Sequence, residues 1–178
     1  MNRHEKKQQT AGKSEERFLS LLETHKGILY KVVRIYCRDS EAQKDLEQEI
    51  LVALWKSFSK YDTKYKWSTW MYRIALNVAI SYYRKESRRK ETFTSTEKAV
   101  IVADSEENGV SHDDVQRLYR YIGQLKKINK ALMLLYLDGL RYKDIAEILN
   151  LTETNVATKI QRIKLQLKKE FSTREGKK

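Results

Sequence analysis

The sequence predicts an all-α protein: two small helical domains joined by a flexible acidic linker, the second domain a helix-turn-helix. Three observations predict it. Proline is absent and glycine occurs only 6 times in 178 residues, so little interrupts a helix. Apolar residues recur three and four apart, and no segment alternates as a strand would. Charge divides the chain in three. Residues 1–90 carry 20 basic and 11 acidic side chains, residues 91–114 carry 1 and 7, and residues 115–178 carry 15 and 6.

The elements follow in order. Residues 1–13 are polar and read as a flexible tail. Phe18, Leu22, Leu29, Val32, Val33 and Tyr36 then stay on one side of a helical path. Ser40 and Gln43 have capping-box spacing, which predicts a helix from about Glu41 with Leu46, Ile50, Ala53, Leu54 and Phe58 inward. Ser68 or Thr69 can cap a further helix running to about Lys90, with Trp70, Met71, Ile74, Ala75, Val78 and Tyr82 inward. This predicts a first domain over 14–90. Residues 91–114 lack periodicity and read as the acidic linker, with Val100 to Val102 a short apolar island. A second domain, 115–174, opens with the stripe Val115, Leu118, Ile122 and Leu125. The stripe Ile128, Leu132 and Leu135 follows, with Gly139 as a stop. Tyr142 to Leu149 reads as a short helix with Ile145, Ala146 and Leu149 inward. Asn150 and Leu151 make a tight turn, and Thr152 caps a longer helix with Val156, Ile160, Ile163 and Leu167 inward.

Composition excludes several classes of function. The net charge of +12 points to a polyanionic partner, nucleic acid or an acidic membrane surface. The longest strongly apolar run, Ala131 to Leu137, is far too short to span a bilayer, and Met1 to Glu16 is polar throughout, unlike a signal peptide. Cys37 is the only cysteine, so neither an internal disulfide nor a CxxC zinc site is possible, and a cytoplasmic setting fits. His4, His25 and His112 are isolated, there is no phosphate-cradling glycine loop, and no nucleophile is paired with a base. No catalytic residues, metal or cofactor are therefore expected.

Three constellations remain. Asp45, Gln48, Glu49, Val52 and Lys56 share a helix face opposite the apolar one: either a protein-docking surface with a small apolar centre, or a solvated face. Tyr61, Lys64, Tyr65, Lys66 and Trp67 form an aromatic-basic loop, and Arg73, Asn77, Ile80, Arg84 and Arg88 line one side of the helix after it. Rings stack on unpaired bases, cations track phosphates and an amide can reach a base edge, so the set suits single-stranded nucleic acid; alternatively the rings are core and the cations solubilise. Finally, Thr154, Asn155, Thr158, Lys159 and Arg162 occupy the open face of the last helix, where such residue types read base edges and hold phosphates in a major groove.

The stretches DLEQEILVALWKSFSKYD (45–62) and WSTWMYRIALNVAISYYRKESRR (67–89) resemble domain two of bacterial RNA polymerase sigma factors, in the small extracytoplasmic-function (ECF) group. LDGLRYKDIAEILNLTETNVATKIQRIKLQLKKEF (137–171) resembles domain four, and the two occur in the family's order. The resemblance implies a non-enzymatic subunit that binds core RNA polymerase, directs it to promoters and melts them. Asp45, Gln48, Glu49 and Val52 would grip the largest subunit's clamp helices. Tyr61, Lys64, Lys66, Trp67, Arg73, Asn77, Arg84 and Arg88 would capture the melted minus-ten strand. Thr154, Asn155, Thr158, Lys159 and Arg162 would read the minus-thirty-five duplex. The acidic linker would pass near the RNA path, and an anti-sigma protein is an implied partner. The sequence departs from the family at Ala157, which removes a common arginine, at Lys159, a point charge in place of a bidentate donor, and at Arg141, where a capping serine is frequent. These leave the upstream sequence open. The main rival is a free-standing helix-turn-helix regulator, which would have no evident use for the aromatic-basic loop. A nucleic-acid-processing enzyme would need a metal or carboxylate site, and an RNA-binding protein has no need of the helix-turn-helix.

Overall fold

The computed structural model describes residues 3–37, 39–92, 118 and 120–175, with side chains described over 12–85 and 118–169 within those stretches. The described secondary structure is helical throughout. Seven helices are α1 (Arg3–Thr24), α2 (Lys26–Tyr36), α3 (Ser40–Phe58), α4 (Trp67–Thr92), α5 (Lys127–Leu137), α6 (Tyr142–Leu149) and α7 (Glu153–Glu175), and residues 120–124 form a short helical turn ahead of α5. Most of the expected linker, with Val100 to Val102 and Val115, lies outside the described residues.

The expected tail at 1–13 is corrected: α1 begins at Arg3, its Glu, Lys, Gln and Ala residues being good helix formers even without an apolar stripe. The start of α3 is also set differently from the expected capping box. Asp39 is the N-cap, its carboxylate accepting from the Ala42 amide at 2.9 Å, while the Gln43 side chain donates to the Cys37 carbonyl. In α3 the predicted face is the core face: Leu46, Ile50 and Leu54 have no exposure and Phe58 is buried. Full burial of each such side chain contributes about 1.5–3 kcal/mol.

Helix α4 differs more. It starts at Trp67, ahead of Ser68. Of its expected inward residues only Met71 and Ala75 are fully covered, and the most buried set also takes in Tyr72, Leu76 and Ala79. The reason is that α4 packs against α2 and α3 on one side and against α5 and α6 on another. Helix α5 is buried almost all round, from Lys130 to Leu135, because it lies between the two helical groups, touching α2, α4, α6 and α7. The Lys130 ammonium sits over the Tyr83 and Tyr36 rings, 4.8 and 5.9 Å from their centroids, which offsets part of the cost of burying a cation.

The C-terminal group follows the predicted pattern closely. Gly139 takes a left-handed φ of 74° and ends α5, with the Leu140 amide donating back to the Leu135 carbonyl. Asn150 ends α6 in the left-handed region at φ 53°, where asparagine is tolerated, and the Leu151 amide donates to the Ala146 carbonyl. Thr152 accepts from the Asn155 amide at 3.2 Å and opens α7. Val156 and Ile160 are fully buried and Ile163 nearly so.

Candidate docking and nucleic-acid surfaces

The exposed side of α3 carries Asp45, Gln48, Glu49 and Val52 in one stripe, directly opposite the buried Leu46–Ile50–Leu54 face. Val52 is half exposed, and so is Trp55 one turn on, its ring edge-on to Phe18 at 5.1 Å. Trp55 was not among the expected docking residues. An exposed tryptophan at helical spacing from Val52 was the available signal. The face joins acids, an amide and an apolar centre on a rigid helix.

The aromatic loop separates into an inner and an outer set. Trp67, expected as a stacking ring, is instead core: it is 5% exposed and packs edge-on against Phe58 and Tyr61 and tilted against Trp70. Its indole N–H is buried and has no hydrogen-bond partner among the described residues. Tyr61 is half-buried in the same cluster, its hydroxyl donating to the Tyr65 carbonyl at 2.8 Å. Packing therefore claims these two rings, and Tyr65, 53% exposed, is the loop's outward ring. Lys64 and Lys66 are exposed, and the Lys64 amide donates to the Asp62 carboxylate, which shapes the turn. On α4, Arg73, Asn77 and Arg84 are exposed at spacings that keep them on one side, and Ile80 between them is half-buried. The side chain of Arg88 lies outside the described residues. A cleft of about 210 Å³ is lined by Tyr65, Trp70 and Arg73 together with Glu147 and Ile148 of α6, and at its edge the Arg73 guanidinium donates to the Glu147 carbonyl at 3.2 Å.

On α7, Thr154, Asn155, Thr158 and Arg162 are exposed and Lys159 is half-buried, all clear of the packed face. The Thr158 hydroxyl donates to the Thr154 carbonyl at 2.9 Å. Arg141, at the N-cap of α6, supplies no cap hydrogen bond; its guanidinium instead makes a two-pronged pair with Asp144 at 2.9 and 3.0 Å. That hydrogen bond holds the Asp144 carboxyl below the usual carboxylate range against the opposing effect of burial, and the charges of Arg141 and Lys66 add to it. An acid in the first turn also faces the positive end of α6.

A helical unit with an exposed polar stripe and a basic edge, followed by a helix-turn-helix with an open polar face, is the architecture of a DNA-binding transcription protein. Residues 21–89 match the family described as Sigma-70 region 2, and residues 115–167 match Sigma-70, region 4. The chain belongs to the sigma-70 family, in its ECF group, and is an RNA polymerase sigma factor that directs transcription initiation. It is 27% identical over 170 residues to the ECF RNA polymerase sigma factor SigW of Bacillus subtilis, covering 88% of this chain and 90% of SigW. Identity to SigX of the same organism is 26%, covering 81% and 78%. The ECF RNA polymerase sigma-E factor of Escherichia coli is 28% identical, covering 66% and 68%. In fold, the chain is similar to the sigma factor RpoE solved with the anti-sigma factor NepR from Bartonella quintana, with TM-score 0.71, 16% identity, and 89% and 96% of the two chains covered. It is also similar to CnrH solved with the cytosolic domain of CnrY, with TM-score 0.64, 18% identity, and 89% and 90% covered. No helix among the described residues is long and apolar enough to cross a membrane.

Proposed function

We propose that the parts of sigma action are distributed over these surfaces as follows. The α3 stripe of Asp45, Gln48, Glu49 and Val52 docks on the clamp helices of the polymerase's largest subunit. Lys64 and Lys66, with Arg73, Asn77 and Arg84 of α4, open the minus-ten region and hold its non-template strand. Thr154, Asn155, Thr158, Lys159 and Arg162 read the minus-thirty-five duplex. The domains are 14–90 and 115–174, with 91–114 as the acidic linker passing near the RNA path. The protein works in the cytoplasm, the polymerase performs the chemistry, and an anti-sigma protein restrains it by covering the docking face. What supports this reading above all is that nearly all of these polar side chains are exposed, on helices whose other face is buried or, for Lys64 and Lys66, on the short loop before α4, so they are presented at no cost to the core.

The test is to mix the purified protein with bacterial core RNA polymerase and measure run-off transcription from pooled genomic promoter fragments. New transcripts that depend on the chain are expected. Specific duplex binding by the chain alone, without binding to core, would instead identify a free-standing regulator.

Two substitutions divide the surfaces. Asn77→Ala removes an exposed amide without touching the core, and is expected to lower the yield of open complex about tenfold, the scale of one lost base contact. Permanganate reactivity of the melted thymines measures it, and an unchanged footprint would take Asn77 out of strand capture. Arg162→Ala is expected to weaken upstream duplex binding about tenfold and to flatten its salt dependence by about one phosphate contact. Equal promoter occupancy at several salt concentrations would show that Arg162 does not face DNA.

A further inference from the structure

One apolar stretch of the sequence lies outside the described helices. Val100, Ile101 and Val102 stand together in the segment that joins α4 to the turn ahead of α5, and Asp104, Glu106 and Glu107 follow within five residues. A groove of matching character lies near both ends of that segment. It has a volume of about 520 Å³ and is lined by Ile80 and Arg84 of α4 and by Leu125, Lys126, Lys127 and Ile128 around the start of α5. Ile80, Leu125 and Ile128 are half-buried and give it an apolar lining, while Arg84 and Lys126 are exposed. The Lys127 ammonium lies over the Tyr83 ring, 5.3 Å from its centroid. No acidic residue lines the groove and none lies in the first turn of α5. Neither Arg84 nor Lys126 has an ion-pair partner among the described residues. The amino end of α5 adds partial positive charge of its own.

We propose that residues 99–107 of this chain dock in the groove. Val100, Ile101 and Val102 cover Ile80, Leu125 and Ile128, and Asp104, Glu106 and Glu107 meet Arg84, Lys126 and Lys127. Charge favours this occupant, because three acids follow the apolar run and three cations flank the apolar lining. Length permits it. Thr92 ends α4 eight residues past Arg84, about 12 Å along the helix. The eight residues from Thr92 to Val100 span up to about 27 Å, enough to turn back to the groove. The 11 residues from Glu107 to Leu118 span up to about 38 Å, and Leu118 is only seven residues from Leu125. Tethering at both ends gives the segment an effective concentration on the order of millimolar, so contacts too weak to hold a free peptide suffice. The docking does not depend on the assignment of Arg84 to the promoter strand.

The experiment uses the full chain carrying Ser105→Cys with a nitroxide spin label, Cys37 being buried, and the unlabelled chain as reference. Methyl NMR signals of Ile80, Leu125 and Ile128 are expected to be broadened, and that of Ile50, on α3, to stay sharp. Lys126→Glu, at an exposed position, is expected to cut the broadening several-fold, and adding Glu106→Lys to it to restore most of the loss, because the pair is then oppositely charged again. Raising the ionic strength should reduce the broadening in the parent chain. Glu106→Lys with Glu107→Lys, which changes no described helix, repeats the test from the segment's side should Lys126→Glu fail to fold. Sharp signals at all three groove methyls, or equal broadening at Ile50, would overturn the docking and leave the groove to an acidic segment of another protein. Broadening that no charge substitution changes would overturn the pairing of these acids with these cations.

Discussion

Replacing Glu49 with lysine is expected to weaken binding to core RNA polymerase by about one to two orders of magnitude, the effect of placing a like charge against a complementary surface. Glu49 stands on the exposed face of α3 beside Asp45, Gln48 and Val52, while Ile50, its sequence neighbour, has no exposure. The substitution therefore changes the presented charge and leaves the packed face intact, so lost affinity reports docking and not unfolding. An anisotropy titration of labelled chain with core measures it, at two salt concentrations, because a contribution from a surface charge shrinks as ionic strength rises. Unchanged affinity at both would remove this face from the docking surface. Equal helical content of the two proteins is the control.

Ile160→Ala should have the largest effect on stability. Ile160 is fully buried on α7, which packs on α5 and α6. Truncating a fully enclosed isoleucine costs about 2–5 kcal/mol, from the lost transfer of its methyl groups and the cavity left behind. In a small helical unit that is a large share of the total. The midpoint of urea unfolding, followed by circular dichroism, is expected to fall sharply for Ile160→Ala and to stay near wild type for Gln161→Ala, whose side chain is exposed. Equal midpoints for the two would mean that α7 does not pack as described.

The C-terminal group was the most legible part of the chain. Ile145, Ala146, Val156, Ile160 and Ile163 are buried as their spacing predicts, Leu149 and Leu167 are only half-buried, Ile148 is buried though not expected inward, and Gly139, Asn150 and Thr152 stand where their local chemistry suits them. A short helical hairpin has one packed face, and a single apolar stripe describes it. Helices α4 and α5 read less well, because each is packed on more than one side and a single stripe is then the wrong template. Trp67 shows the same difficulty at the start of α4: aromatic residues beside lysines suit both base stacking and core packing, and only the surrounding Phe58, Tyr61 and Trp70 decide between them.

Local chemistry in the sequence thus determined most of the helices, the helix-turn-helix and the exposure of Asp45, Glu49, Asn77 and Arg162, because each follows from spacing along one helix or from the conformational preference of one residue. Tertiary structure alone decided which rings are core, that Lys130 is buried against two tyrosines, and that Lys31, Tyr72 and Asp138 meet. Those three residues lie on separate elements and carry no shared periodicity. Their meeting depends on how the two helical groups pack, which no local pattern encodes.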